Sequence, residues 1–242
     1  MSPELLARLF QQRSMVRLIR FDEQRAPNAG PDDIDPALKA RFLRGDLPEA
    51  LQLKKLYLLL EDENRQPRLT VTGVLLLTRR PADFLSSAYV QCVAYSGRER
   101  NAEYQLDAQD CDGPVDEQIR QAFAFVRRNM RIEAVKRPGR IDIPQYDLGA
   151  VYEALVNAVA HRDYAMHGAR IRMHLFADPV TRRQNLIERR GEGVPTILAA
   201  SQRLSLRRPL YEQIDHTELK LTIYAASRES NGLVTQFDDS DA

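Results

Sequence analysis

The stretch EALVNAVAHRDY, residues 153–164, is the part of the sequence that decides the fold. Its spacing predicts a helix over residues 147–161, because apolar side chains recur every three or four positions. At 100° per residue, Glu153, Asn157 and His161 form a polar ridge on the side away from the apolar arc. The apolar arc is formed by six side chains: Leu148, Val151, Tyr152, Leu155, Val156 and Val159.

Alanines flank the polar ridge of this predicted helix. Ala150, Ala154, Ala158 and Ala160 stand where a solvent-exposed helix usually carries long charged side chains. Such small side chains allow a neighbouring element or a ligand to approach the helix closely. The pattern alone therefore leaves two interpretations open: a buried helix with a satisfied polar pair, and a helix that lines a ligand site.

Predicted elements on both sides of this helix indicate an α/β fold, in the form of an α+β sandwich with a mixed sheet. Residues 88–95 alternate as in a strand, and a second strand follows the helix over residues 169–176. Gly113 and Pro114 precede an amphipathic helix. The remaining predicted elements are a strand at 103–106 that neighbours 88–95, a strand at 140–143, a helix at 196–204, and strands at 209–214 and 219–226.

Residues 1–70 are predicted to form a mostly helical connector. Helix starts are indicated at Ser2, at Asp35 and near Asp46, and the first two of these residues are each followed by a proline. An apolar run and a polar turn over residues 57–71 then predict a short hairpin. Helices followed by a hairpin are typical of a winged helix, and they also fit a helical lead-in to any α/β domain.

The composition is that of an ordinary globular protein. Of the 242 residues, 43% are hydrophobic and 29% are charged, which argues against wholesale disorder. No apolar run approaches the roughly 20 residues that span a bilayer, and the N-terminus does not resemble a signal peptide. The two cysteines are too few for a disulfide framework or a zinc cluster. These features predict a soluble, cytoplasmic protein with no membrane partner.

Three segments carry a family resemblance: ALVNAVAHRDY (154–164), HGARIRMHLF (167–176) and ERRGEGVPTIL (188–198). In this order they resemble the RecG-like, C-terminal ATPase module of bacterial transcriptional regulators that have an N-terminal Schlafen/AlbA-type DNA-binding domain. That module resembles the GHKL nucleotide-binding fold of gyrase, Hsp90, histidine kinases and MutL. The resemblance covers most of the chain, residues 2–226, and implies a mixed sheet with helices on one face.

The resemblance implies a nucleotide site on the motif helix. Glu153 and Asn157 correspond to the N box of GHKL ATPases, in which the asparagine holds the Mg²⁺ that bridges the ATP phosphates. Glu153 corresponds to the catalytic glutamate that polarises the attacking water. Arg162 and Asp163 follow the helix and would bound the pocket, although a charge pair at the end of a helix is an equally good interpretation of these two residues.

The resemblance also implies a glycine box at Gly191 and Gly193. Backbone N–H groups of such a loop, placed before a helix, can bind a phosphate, but a G-x-G before a helix is also a common loop. The chain departs from the family between residues 176 and 191, where the second strand and the adenine-binding D box are expected. Either the pocket has been lost, or the sequence joins two segments around a flexible lid.

The sequence therefore predicts a fragment of a transcriptional regulator. Residues 71–226 would form a GHKL-like ATP-binding domain that acts as a ligand-responsive switch for a DNA-binding domain absent from this chain, and residues 227–242 an acidic flexible tail. A homodimer is compatible with this interpretation. No lysine switch can be assigned, so a weak ATPase activity is left open. The alternative is a non-catalytic dimerisation or scaffold domain that has lost nucleotide binding.

Overall fold

The structure is a computed structural model that describes residues 21–26, 28–96, 100–136, 140–166, 168–176, 183–187, 205, 209–213 and 219–225. The described residues include five α-helices and ten strands. The helices are α1 (Pro36–Ala40), α2 (Glu49–Lys55), α3 (Val71–Leu77), α4 (Val115–Asn129) and α5 (Leu148–Ala160). The strands are β1 (Leu59–Glu61), β2 (Pro67–Leu69), β3 (Val90–Tyr95), β4 (Gln105–Cys111), β5 (Ile132–Lys136), β6 (Arg140–Pro144), β7 (Ile171–Phe176), β8 (Arg183–Ile187), β9 (Leu210–Gln213) and β10 (Leu219–Tyr224).

The chain divides into two compact units. Unit 1 comprises Met1–Ala88, Asp112–Asp116 and Asp163–Ala169. Unit 2 comprises Tyr89–Cys111, Glu117–Arg162 and Arg170–Ala242. Helix α3 thus belongs to unit 1. The functional boundaries predicted from the sequence, after residue 70 and after residue 226, stay predictions.

In unit 1, one described helix begins at its predicted site and another begins later than predicted. The Asp35 carboxylate accepts the N–H groups of Ala37 and Leu38, so α1 begins at Pro36. The predicted third helix begins at Glu49, three residues later than Asp46 suggested, because Pro48 occupies the N-cap. The predicted hairpin is confirmed as β1 and β2. The helix predicted to start at Ser2 lies outside the described residues.

Helix α3 is held in unit 1 by a close contact with the preceding hairpin. Thr70 Oγ1 accepts the N–H of Gly73 and donates to the carbonyl of Tyr57 at 2.7 Å. A Cβ atom on Gly73 would lie 2.1 Å from the carbonyl oxygen of Leu58, so only glycine allows this approach. The buried core of the unit includes Leu53, Leu58, Leu69, Val71, Val74, Leu77 and Leu85.

Unit 2 contains a six-stranded mixed sheet, and this confirms the predicted α+β class. The strand order is β4-β3-β7-β8-β10-β9. Strands β3 and β7 are parallel, with Val90 opposite Ile171 and Tyr95 opposite Phe176, whereas every other neighbouring pair is antiparallel. Strands β5 and β6 form a separate two-stranded hairpin.

The structure corrects one expectation about the sheet. The sequence suggested that the chain passes almost directly from β7 to the glycine segment, but Arg183–Ile187 forms strand β8. This strand pairs antiparallel with both β7 and β10. Its sequence, RQNLI, has little strand character of its own, and pairing on both sides is what makes it a strand. The predicted helix over 196–204 and the predicted tail lie outside the described residues.

No helix in the described part of the chain is long and apolar enough to cross a membrane.

Candidate functional site

Helix α5 has the boundaries that the sequence predicts. The Asp147 carboxylate accepts the N–H of Ala150 at 2.8 Å and begins the helix. Val151, Leu155 and Val159 are buried, as predicted, and the helix packs against strand β8 of the sheet. Burial of each such aliphatic side chain contributes about 1.5–3 kcal/mol, so this face holds the helix firmly in unit 2.

The alanine side of α5 is buried as well. Ala150, Ala154 and Ala158 are at most 1% exposed, whereas Ala160, the fourth of these alanines, is exposed. Tyr152, which the helical spacing placed in the apolar arc, is instead 46% exposed. Its ring packs edge-on against Phe123 of α4, with the ring centroids 5.4 Å apart. Because α5 is packed on its alanine side, the bulky side chain of Tyr152 lies at the edge of the buried surface.

The polar pair on α5 is brought together as its spacing predicts. Asn157 is only 6% exposed, and its Nδ2 donates to Oε1 of Glu153 at 3.2 Å. This contact orients the amide, so that Oδ1 of Asn157 is left as an acceptor with no donor among the described residues. Glu153 is half-buried and forms no ion pair with any residue that the structure describes. The pair therefore offers an oriented amide oxygen beside a carboxylate.

Arg162 and Asp163 form the exit from α5. The helix ends where His161 N–H donates to the carbonyl of Asn157 at 2.9 Å. Oδ1 of Asp163 accepts the N–H of Ala165 at 3.1 Å, and its carbonyl accepts the N–H of Met166. Asp163 thus has a local role in the turn. Both side chains are half-buried, and their predicted role in bounding a pocket stays a prediction.

The other predicted site residues, Gly191 and Gly193, lie outside the described residues. Of the predicted site residues, the structure brings Glu153 and Asn157 into contact, and their role in a nucleotide site stays a prediction. The described residues contain no cluster of three or more His, Cys, Asp or Glu side chains that could hold a metal. A single amide oxygen fits Mg²⁺ nevertheless, because this ion usually keeps several waters and takes its other ligands from a substrate phosphate.

A second buried polar residue, His174, was not singled out by the sequence pattern. It lies on β7, is 5% exposed, and packs against the rings of Tyr95 and Phe176. Neither ring nitrogen has a hydrogen-bond partner among the described residues. Burial lowers the pKa of His174 to about 4, and the charges of Arg100 and Arg172 act in the same direction. The imidazole is neutral at pH 7.

The two cysteines also meet in unit 2, which their separation in sequence did not suggest. Cys92 on β3 and Cys111 on β4 are fully buried, with their Sγ atoms 3.7 Å apart. The contact with Cys111 and the burial raise the pKa of Cys92 above its usual range. Buried thiols of raised pKa are chemically inert, so this pair is a packing contact.

Comparison with known proteins supports the fold alone. No family model matches the chain, and no curated protein does. Among solved structures, it is similar to the DIP2311 protein from Corynebacterium diphtheriae, a structural-genomics target, with a TM-score of 0.62 and 14% sequence identity. The match covers 90% of this chain and 50% of that protein, so the chain spans about half the length of its structural relative.

Proposed function

We propose that this chain contains a GHKL-like, ATP-binding module that acts as a ligand-responsive switch in a bacterial transcriptional regulator. DNA would be bound by a domain outside the chain. The observation that supports this proposal is the Asn157–Glu153 pair, in which the buried Asn157 amide is held by the half-buried Glu153 at the edge of the exposed side of the helix. A buried amide side chain contributes little to solubility, so a ligand is a good reason for its presence.

Asn157 is the residue that would hold the metal. Its amide nitrogen is engaged by Glu153, so rotation of the amide is restricted and the oxygen is presented in one orientation. When bound, Mg²⁺ would neutralise charge on the nucleotide phosphates. Low exposure of Asn157 favours this role, because the interaction between charges is stronger where water is excluded.

Glu153 has two tasks in this proposal. Through Oε1 it orients the Asn157 amide, and its other carboxylate oxygen can accept a proton from water. General-base catalysis of this kind accelerates a reaction about 10²–10⁴-fold. Loss of Glu153 should therefore slow any hydrolysis while nucleotide binding persists, whereas loss of Asn157 should remove binding itself.

A scaffold function is the second candidate, and the short stretch of sequence between β7 and the glycine segment favours it. Fourteen residues, 177–190, separate Phe176 from Gly191, and this stretch would have to contain both the second strand and the D box that the resemblance implies. A chain without an adenine-binding loop could have kept the fold for dimerisation or for positioning a DNA-binding domain. Direct measurement of nucleotide binding distinguishes the two candidates.

The test is calorimetric titration of the intact protein with Mg·ATP. We expect a binding heat for the wild type, none for Asn157→Ala, and a retained heat for Glu153→Ala. The matched control is Gln121→Ala on α4, since Gln121 donates to Glu117 at the same 3.2 Å and with the same spacing of four residues. That variant should bind as the wild type does.

Two results would contradict the proposal. Absence of any heat with the wild type would leave the scaffold function standing. Equal binding by the wild type and Asn157→Ala would show that a nucleotide binds without the proposed ligand. Circular dichroism of each variant checks that the fold is retained.

A further inference from the structure

One face of strand β7 carries basic side chains without an acidic partner. Arg172 and His174 alternate with the buried Ile171 and Met173, so the two basic residues lie on the same face of the sheet. Arg172 is half-buried and has neither a hydrogen bond nor an ion pair with any residue that the structure describes. Arginine side chains that leave the solvent usually gain a partner, so the guanidinium of Arg172 lacks an acceptor.

Arg170, which directly precedes β7, shows how an arginine is accommodated on the same face. Its Nη1 donates a hydrogen bond to the hydroxyl of Tyr89, and its Cζ lies 5.3 Å from the centroid of the Tyr89 ring. For Arg172, the described residues supply no such hydroxyl or ring. The register of the sheet places Gln91 opposite Arg172, but the amide of Gln91 donates to Asp110 at 3.3 Å. The neighbouring strand therefore gives Arg172 no counter-charge.

A second arginine comes close to the same place. Burial is the main cause of the low pKa of His174, and the charges of Arg100 and Arg172 lower this pKa further. Both guanidinium groups therefore lie within electrostatic range of one imidazole. Arg100 is exposed and, like Arg172, forms no ion pair with a described residue. Two uncompensated positive charges near one another raise the local potential and attract an anion.

His174 supplies an unsatisfied hydrogen-bonding group beside these two arginines. Its side chain is 5% exposed, and neither ring nitrogen has a partner among the described residues. A neutral imidazole carries one N–H donor and one acceptor nitrogen. Buried polar groups in proteins are nearly always hydrogen-bonded, so a buried imidazole without a partner indicates that a ligand, an ion or a water molecule completes the site.

We propose that Arg172, Arg100 and His174 form a binding site for a phosphate group on this face of β7. The two guanidinium groups bind the phosphate oxygens, since the paired N–H donors of arginine match the geometry of phosphate. A phosphate group offers a strong acceptor oxygen to each of the three side chains, which a carboxylate cannot do. The ring nitrogens of His174 are shielded from solvent, so its N–H meets the anion when the ring turns about its Cβ–Cγ bond.

This phosphate site is separate from the proposed nucleotide site, because it contains neither Asn157 nor Glu153. ATP carries phosphates of its own, so the probe for this site is inorganic phosphate in the absence of nucleotide. Asn157→Ala should bind inorganic phosphate as the wild type does. Failure of either proposal therefore leaves the other untouched.

NMR titration of the whole chain with inorganic phosphate at pH 7 tests the site. The ring signals of His174, assigned from His174→Phe, should shift in a saturable way at an ionic strength held constant with sodium chloride. Arg172→Gln should weaken phosphate binding about tenfold and Arg100→Gln about fivefold, because each change removes a charge-assisted hydrogen bond. The matched control is Arg127→Gln, which removes an exposed arginine of α4 that also lacks a described partner. It should bind phosphate as the wild type does.

Each of the opposite outcomes overturns the proposal. Ring signals of His174 that do not respond to phosphate exclude the site, and undiminished binding by Arg100→Gln and Arg172→Gln places any phosphate site elsewhere. Equal weakening in Arg127→Gln would show a general effect of net charge. Acetate that shifts the same signals with equal affinity would show that the site does not select phosphate. Circular dichroism verifies that the variants fold, and Arg100→Gln, at an exposed position, tests the site independently of any disturbance of β7.

Discussion

Helices α4 and α5 carry the same polar contact in different surroundings. On each, a side-chain amide donates to a carboxylate four residues earlier at 3.2 Å: Gln121 to Glu117 on α4, and Asn157 to Glu153 on α5. Helix α4 buries four of its 15 residues, and Glu117 also pairs with the exposed Arg120. Helix α5 buries seven of its 13 residues, Asn157 among them.

This difference shows that the same hydrogen bond between residues four positions apart can have a different role where one of its partners is buried. On α4 the amide–carboxylate contact joins two half-buried side chains beside the exposed Arg120, and such pairs on a helix contribute a few tenths of a kcal/mol. On α5 the same contact occupies a position that an apolar side chain could fill. A polar pair retained there needs a reason beyond helix stability, and the proposed reason is a ligand.

The largest expected difference between α4 and α5 comes from introducing an arginine on each helix. Ala154→Arg would place a charge at a fully buried position of α5, and a buried charge without a partner costs about 3–5 kcal/mol. The matched change Ala124→Arg lies at an exposed position of α4 and should alter the free energy of unfolding by less than about 0.5 kcal/mol. Urea unfolding of both variants checks this. Similar stabilities would mean that the alanine side of α5 is open.

Truncation of the apolar face should have the next largest effect. Leu155 is fully buried, so Leu155→Ala should lower the free energy of unfolding by about 2–5 kcal/mol through lost burial and a cavity. Tyr152→Ala, one turn away and exposed, should cost only about 1 kcal/mol by removing the edge contact with Phe123. Thermal unfolding compares the two, and a larger loss at Tyr152 would refute the observed orientation of the helix.

A pH titration tests His174, a buried polar group that lacks the hydrogen-bond partner that Asn157 has. Burial depresses the pKa of His174 to about 4, from an ordinary value of 6.5. Protonation therefore favours the unfolded chain: the full stability is present above pH 6.5 and is lost as the pH falls from 6.5 towards 4. The loss attributable to His174 reaches up to about 3 kcal/mol.

The control for this titration is His174→Phe, which keeps an aromatic ring beside Tyr95 and Phe176 and cannot be protonated. Carboxylates also lose stabilising contacts in acid, so the quantity to compare is the difference between the two proteins in unfolding free energy. That difference should change between pH 7 and pH 4. A constant difference would show that His174 is protonated equally easily in both states.

The smallest effect should come from the paired amides themselves. Asn157→Ala removes a buried hydrogen bond and should cost about 0.5–1.5 kcal/mol without ligand. Gln121→Ala should change the stability by less than about 0.5 kcal/mol. Chemical denaturation without nucleotide measures both. A loss of stability in Gln121→Ala as large as that in Asn157→Ala would contradict the difference in burial between the two amides.

The local features of the fold were predictable where a few neighbouring residues determine them. Asp35 begins a helix where its short carboxylate predicted it, the apolar spacing placed the start of α5 at Asp147, and the spacing of Glu153 and Asn157 predicted their contact. Strand β8 was missed because its pairing on both sides, rather than its composition, makes it a strand. Tyr152 was wrongly predicted to be buried, because helical spacing shows which residues share a side of the helix and cannot show how deeply that side is buried.

Contacts between residues that are far apart in the chain could not be predicted from the sequence pattern. The meeting of Cys92 with Cys111 depends on the register of β3 and β4, and a change of one residue in that register would separate the thiols. Whether the ring nitrogens of His174 find a hydrogen-bond partner likewise depends on which face of the sheet is covered. The site prediction rests on a resemblance for its chemistry; the structure shows the contact of Asn157 with Glu153 and the burial of Asn157, and the nucleotide site itself stays a prediction.

The central claim is that Asn157 supplies the metal ligand of a nucleotide site, and a paramagnetic probe tests it most directly. Mn²⁺ can replace Mg²⁺ with ATP, and it broadens NMR signals of nearby groups. In ¹⁵N spectra, with side-chain amides assigned from the Asn157→Ala and Gln121→Ala variants, Mn·ATP at low occupancy should broaden the Asn157 signal far more than that of Gln121, because the broadening falls steeply with distance from the metal. Equal sharpness of both signals in the presence of saturating Mn·ATP would contradict the claim.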